Sequence, residues 1–199
     1  MNQVNVLFNA LHKNGGMITS QQALKLRIRK NIFSELVHKN KLVKIAQGLY
    51  ALPTEEIDEY SYFSHRMPSG IFSHDTALYL HGLITRMPII YVMTVKSGSN
   101  VSKISHDKNN IEFKYVKKEL LELGKIQLQT PFSRYVSVYD KERCILDVIK
   151  SKNDIDAQIF SEALKNYFSS NDKNLLRLSE YAVKMNMEEK LRQYTEVLL

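Results

Sequence analysis

The chain has 199 residues, with 28 Lys+Arg against 21 Asp+Glu and a formal net charge of +7. Hydrophobic residues at 44% and charged residues at 25% exclude a wholly disordered chain, and the length fits one large domain or two small ones. A single Cys excludes an internal disulfide or a multi-Cys zinc site and points to a reducing compartment.

The longest apolar-rich run, Met87 to Val95, contains Pro88 and Thr94 and is far short of a bilayer span. Asn2, Gln3, Asn5 and Asn9 interrupt any apolar core at the N-terminus, so no secretory signal is expected. The expectation is a soluble, cytoplasmic protein with no membrane partner. Its charge is unevenly placed. Residues 1–52 carry eight basic side chains (Lys13, Lys25, Arg27, Arg29, Lys30, Lys39, Lys41 and Lys44) and one acid, Glu35. Residues 53–199 balance, with 20 of each sign. A concentrated basic footprint suits a polyanion, because phosphate contacts with counterion release supply most non-specific affinity. A solvated basic surface is the alternative reading of charge alone.

In chain order, Val4, Leu7, Phe8 and Leu11 share one face of a first helix that Gly15-Gly16 stops. Thr19 or Ser20 can cap a short second helix, from Gln21 to about Leu26, that buries Ala23 and Leu24. A third helix begins near Arg29, with Ile32, Phe33, Leu36 and Val37 inward and Asn40 suited to a left-handed end. Residues 42–45 and 49–52 flank Ala46-Gln47-Gly48 as a β-hairpin. Three helices and a hairpin follow the order of a winged helix-turn-helix domain. In that arrangement the third helix enters the major groove and its N-terminal residues meet base edges. The candidate DNA-binding residues are therefore Ser20, Gln21, Arg27, Arg29, Lys30, Asn31, Ser34, Lys39, Lys44 and Gln47. Arg29 suits guanine and Asn31 adenine; Lys30, Lys39 and Lys44 suit phosphates, and Gln47 at the wing tip suits the backbone or minor groove. The same small unit could instead serve as a protein-docking module.

Pro53 and the acidic stretch 54–59 mark a boundary, so the expected domains are residues 1–53 and 54–199. Past it, Ser73-His74-Asp75-Thr76 can open a helix that stops at Gly82, and Ile89 to Val95 reads as a buried strand. Ile111–Val116, Ile126–Gln129 and Tyr135–Tyr139 are further strand candidates. From Asp140 the period turns helical: Lys141–Lys150, Ala157–Phe168, Lys173–Lys184 and Glu188–Leu198 are expected, with Asp140, Asp156, Asp172 and Asn186 near their starts. The predicted fold class is α+β, an N-terminal winged helix-turn-helix followed by a mixed α+β domain with a helical C-terminal part.

Three ordered segments carry a family resemblance: the end of the basic module, Gly48-Leu49-Tyr50; the run Ser73 to Leu83, with Pro88 and Val92–Val95 behind it; and Tyr139 to Ile149. Together, and with the C-terminal Leu176–Leu198 in character, they resemble the AbiEi antitoxins over nearly the whole chain. Arg27 and Arg29 stand where relatives often have a turn Gly and a small capping residue, and Asn40 where Gly is common. The resemblance implies an antitoxin of a type IV toxin–antitoxin, abortive-infection system in bacteria. Such a protein counters a nucleotidyltransferase-like toxin without a stable complex and represses its own operon. Specific promoter recognition by so small a domain calls for two copies on inverted repeats of double-stranded DNA. The alternative is a winged-helix regulator, without antitoxin activity, whose second half answers to a ligand or partner.

An enzymatic reading would rest on His74, Asp75 and His81. The seven-residue His spacing lacks the i, i+4 step of a helical metal site, and no Glu completes a ligand motif. Asp75 is expected in the first turn of its helix and His81 to pack near the far end. Cys144 sits in an apolar stretch as an inert thiol, and Arg143 with Asp147 reads as an i, i+4 helix pair that anchors structure, worth only a few tenths of a kcal/mol. No catalytic residue, cofactor or metal is expected.

Overall fold

The computed structural model describes residues 2–54, 56–102, 104 and 110–198, so Glu55 of the expected acidic boundary lies outside the described residues. The chain is α+β and divides into two units. Unit 1 comprises Met1–Pro68 and Gln129–Val136, and unit 2 comprises Ser69–Leu128 and Ser137–Leu199. This differs from the boundary expected after residue 53. The reason is a helix that sequence reasoning passed over, Glu59–Arg66, which begins on an Asp58 cap and whose His65 Nε2 lies 3.0 Å from Gln47 O.

Unit 1 begins with α1 (Gln3–Lys13), capped by Asn2, whose side chain accepts from Val4 N. A short strand not expected from sequence, β1 (Met17–Thr19), precedes α2 (Ser20–Lys25). Thr19 caps α2 in a reciprocal box: its Oγ1 accepts from Gln22 N at 3.1 Å while Gln22 Oε1 accepts from Thr19 N at 2.8 Å. Next come α3 (Lys30–His38), β2 (Val43–Ala46), β3 (Leu49–Ala51) and α4 (Glu59–Arg66). The strands form an antiparallel sheet in the order β1-β3-β2, with Met17 opposite Ala51 and Val43 also opposite Ala51. Its core is the expected one at Leu7, Leu11, Ala23, Phe33 and Leu36. Leu24 is the exception: it is 67% exposed, while Ala23 beside it is buried. The ring of Phe33 lies 4.4 Å from that of Tyr50, packing α3 onto β3. Arg27 and Asn40 take left-handed backbone, with φ of 58° and 52°.

Unit 2 is a mixed five-stranded sheet with helices. In chain order its elements are β4 (Ile71–Phe72), α5 (His74–Leu80), β5 (Tyr91–Lys96), β6 (Ile111–Val116), α6 (Lys118–Leu121), β7 (Lys125–Gln129) and β8 (Tyr135–Tyr139), of which Gln129, Tyr135 and Val136 count with unit 1. The helices α7 (Lys141–Lys150), α8 (Ala157–Ser169), α9 (Leu175–Met185) and α10 (Glu188–Leu198) follow. The sheet order is β6-β5-β4-β8-β7, with β4 antiparallel to β5, and β4/β8 and β5/β6 parallel. The short central strand β4 and the helix α6 had no clear periodicity to announce them. The apolar run 89–95 is only partly strand: Ile89 is 78% and Ile90 47% exposed, and β5 starts at Tyr91. Helix α9 is capped by Asn174 and not by Asp172, whose carboxylate instead holds Lys141 Nζ at 2.6 Å. Asn186 ends α9 in the left-handed conformation.

The centre of unit 2 holds a polar cluster whose Arg143, Asp140, Glu142 and Asp147 are buried. Arg143, 1% exposed, lies on α7 and places Nε 3.1 Å from both oxygens of Asp147. Its Nη1 donates to Leu120 O at 2.8 Å and to Leu123 O at 3.2 Å, and the guanidinium sits 4.4 Å from the centre of the Tyr139 ring. The pair expected to contribute a few tenths of a kcal/mol is therefore not a surface helix pair. Asp140 accepts from Arg143 N and from Tyr181 Oη, and Glu142 accepts from Tyr167 Oη and Asn174 N. Burial, with Asp140 beside it, pushes the Tyr181 phenol up to about 12.

Two histidines at the ends of α5 give this unit a pH dependence. His81 Nε2 lies 2.7 Å from Tyr139 O, and His74 Nδ1 lies 3.0 Å from Ser73 Oγ. Burial lowers both from the ordinary 6.5, with Asp147 opposing at His74 and the Tyr139 carbonyl opposing at His81. Well above 6.5 neither folded nor unfolded rings are charged, so their titration contributes nothing. As pH falls below 6.5 the unfolded chain takes up protons first, and stability declines until the lowered folded values are reached. The urea midpoint is expected to fall between pH 7.5 and 6, with a shallower fall in His81→Gln, which keeps an N–H donor for Tyr139 O. Equal slopes in the two proteins would refute the assignment to His81. Asp75 and Asp140, raised from 3.8 chiefly by burial, act in the opposite sense toward lower pH.

Candidate nucleic-acid interface

One face of α3 is apolar and inward, through Phe33 and Leu36; the other is polar and exposed. Arg29, Lys30, Asn31, Ser34, His38 and Lys39 are all exposed. With Glu35, seven polar residues among the eleven from 29 to 39 fall outside the apolar stripe, because the 3.6-residue period alternates them with the four apolar ones. Arg29 is the N-cap and makes no side-chain cap hydrogen bond; its own N–H donates to Gln3 Oε1 at 3.3 Å. The first turn of α3 thus begins with a cation and no covering side chain, where the helix dipole favours an anion such as phosphate. Arg27, two residues earlier, is exposed at a left-handed position. Lys39 is partly engaged: Nζ lies 2.6 Å from Glu35 Oε1, which holds the Glu35 carboxyl below its ordinary value.

The other expected residues lie on neighbouring elements of unit 1. Gln21 is exposed in the first turn of α2, and Ser20 is half-buried, its N–H donating to Gly48 O at 2.8 Å. Lys44 on β2 and Gln47 in the hairpin turn are exposed. Gly48, with φ of 75°, makes the turn. The turn is anchored from two sides, by Ser20 N at Gly48 O and by His65 at Gln47 O. His65 was not among the expected residues; it lies 18 positions from Gln47, with no periodicity linking it to the hairpin.

Unit 1 also contains a cleft of about 690 Å³, lined by residues of α1, β1, α2, α4 and the returning segment 132–136. Arg134 enters it from that segment; its Nη2 donates to Asn14 O and Gly15 O, and its Nε lies 3.9 Å from Asp58 Oδ2. Burial lowers the guanidinium's affinity for its proton, and Asp58 opposes this. No sequence signal tied Arg134 to the N-terminal segment, because they are 120 residues apart.

In unit 2, His74 and His81 stand at opposite ends of α5 on separate partners, and Asp75 occupies the first turn. Among the described residues no group of three or more His, Cys, Asp or Glu is placed to hold a metal ion. Cys144 is fully buried, and desolvation pushes its thiol well above the ordinary value, the reverse of what a nucleophilic thiolate needs. Among the described residues no helix is long and apolar enough to cross a membrane.

Fold and surface together define a mixed α+β protein with a basic, helix-presenting first unit. No protein-family profile and no curated protein matches the chain. Among solved structures it is similar to the Rv2827c protein from Mycobacterium tuberculosis, with 10% sequence identity and a TM-score of 0.59 over 96% of this chain and 77% of that one. At that identity the likeness is one of fold.

Proposed function

We propose that unit 1 is a winged helix-turn-helix DNA-binding domain and that the chain represses its own promoter. The observation that carries this reading is the exposed polar face of α3. Arg29, Lys30 and Asn31 cluster at its uncapped start, the end that meets base edges when such a helix lies in the major groove. The β2–β3 hairpin is the wing, and the ties from Ser20 and His65 hold its tip in a defined place. The antitoxin role is proposed from the AbiEi resemblance of residues 73–83 and 139–149. In it the second unit opposes a nucleotidyltransferase-like toxin without a stable complex, and the chain acts by binding and not by catalysis.

The test uses duplex DNA from the region upstream of the gene. Arg29→Ala should weaken binding to the preferred sequence by roughly 1–3 kcal/mol and relax base preference at one position. Lys44→Ala should weaken all duplexes alike and reduce the salt slope by about one. Footprints should cover two inverted half-sites. Unchanged affinity in both variants would place the DNA-binding face elsewhere. The antitoxin reading fails if the intact chain does not relieve growth arrest by the adjacent toxin gene.

A further inference from the structure

The cleft in unit 1 has a composition that α3 and the hairpin do not explain. Among the described residues lining it there is no carboxylate, yet Lys13, Arg134, His12 and His65 all line it. Arg134 is balanced from outside the cleft by Asp58, which is 1% exposed and bonded to Ser61 N at 3.2 Å. Lys13 has no ion pair among the described residues and remains a net positive charge at the rim. Neutral donors accompany it. The Thr19 oxygen accepts from Gln22 N, leaving its O–H to donate, and Ser64 adds a second hydroxyl. Cations and hydroxyls without an acid form an anion site, and the tetrahedral oxygens of phosphate suit several such donors at once.

Apolar side chains share the lining. Met17, Leu49 and Val136 are buried residues of the sheet and of the returning segment, and Phe132 is half-buried. At about 690 Å³ the cleft falls within the roughly 300–1,000 Å³ usual for small-molecule sites. A lining that combines cations, hydroxyls and an aromatic side chain fits a ligand that carries both phosphate and a flat ring. We propose that this cleft binds a nucleotide, with the phosphates at Lys13, Thr19 and Ser64 and the base against Phe132. The inference goes beyond the DNA-binding reading and does not depend on it, because none of these residues lies on α3 or in the hairpin turn.

Calorimetric titration of the full chain with ADP, adenosine and inorganic phosphate tests it. ADP is expected to bind at least tenfold more tightly than either adenosine or phosphate. Lys13→Glu, an exposed position, should weaken ADP at least tenfold with unchanged thermal unfolding, while Arg29→Ala should leave ADP binding intact. Arg134 is tied into the backbone of the unit and is a poor first variant, so Phe132→Ala serves as the second: it should bring ADP affinity toward that of phosphate. Absence of ADP binding at millimolar concentration would overturn the proposal. Phosphate binding as tightly as ADP would remove the base from it. Loss of ADP binding in Arg29→Ala with retention in Lys13→Glu would move the site to α3. Equal weakening of ADP and duplex DNA by Lys13→Glu, with the two competing, would make the cleft part of the DNA track and overturn it as well.

Discussion

Arg143→Leu is expected to destabilise the chain by about 3–5 kcal/mol, the range for removing one partner of a buried ion pair. Leucine occupies part of the arginine volume, so the dominant loss is not packing. Asp147 is left 5% exposed with its main cationic partner gone, and the carbonyls of Leu120 and Leu123 lose their donor. The double variant Arg143→Leu/Asp147→Leu should recover a substantial part of that loss, since an uncharged pair costs far less to bury than a lone carboxylate. Urea unfolding of the wild type, both single variants and the double variant gives the coupling directly. Additive single effects would mean that Arg143 acts through the two carbonyls and the Tyr139 ring, and not through Asp147.

This centre shows where local pattern stops being informative. Lys141–Lys150 was legible as a helix to the residue, because Asp140 caps it and the period from Cys144 onward is regular. Its surroundings were not. An i, i+4 Arg–Asp pair reads as surface decoration unless one knows that the carbonyls of Leu120 and Leu123 meet the guanidinium, and these lie some twenty residues away in sequence. The same limit explains the errors in unit 1. The face of α3 followed from its period alone, and all seven polar positions from 29 to 39 are exposed. The strand β1 is three residues long, too short for any alternation to register, and it exists only because β3 offers Leu49–Ala51 as a partner. Hydrophobicity places Leu24 inward with Ala23, but residues adjacent in a helix point about 100° apart, and only Ala23 is buried. The boundary at residue 53 was drawn on charge and proline. Helix α4 and residues 129–136 then proved to belong with the first unit through contacts that charge does not report. With them, unit 1 holds ten basic and five acidic residues, so its basic character lies in the first 52 residues and the later additions temper it.

Gly124→Asn separates the two reasons a glycine can be required. Gly124 has φ of 79° and Gly98 has φ of 85°, both left-handed values that asparagine tolerates better than other side chains. They differ in space. A Cβ at Gly98 meets nothing within 4 Å, whereas at Gly124 it would lie 2.7 Å from Arg143 Cβ, 2.9 Å from Asp140 Oδ1 and 3.2 Å from Tyr181 Cε2. None of these neighbours can step aside easily. Arg143 Cβ is fixed to the α7 backbone, Asp140 Oδ1 accepts from Arg143 N at 2.9 Å, and Gly124 O itself accepts from Asp140 N at 2.7 Å. A side chain here must therefore push the start of α7 away from the α6–β7 turn, which stretches the cap and the Arg143 contacts together. Gly98→Asn is expected to cost less than about 1 kcal/mol, the conformational part alone. Gly124→Asn should cost about 3 kcal/mol or more, with overpacking added to the backbone strain. Thermal and urea unfolding of the two variants side by side decide the matter. Similar losses at both positions would mean that backbone conformation governs, and that the start of α7 is more yielding than its hydrogen bonds imply.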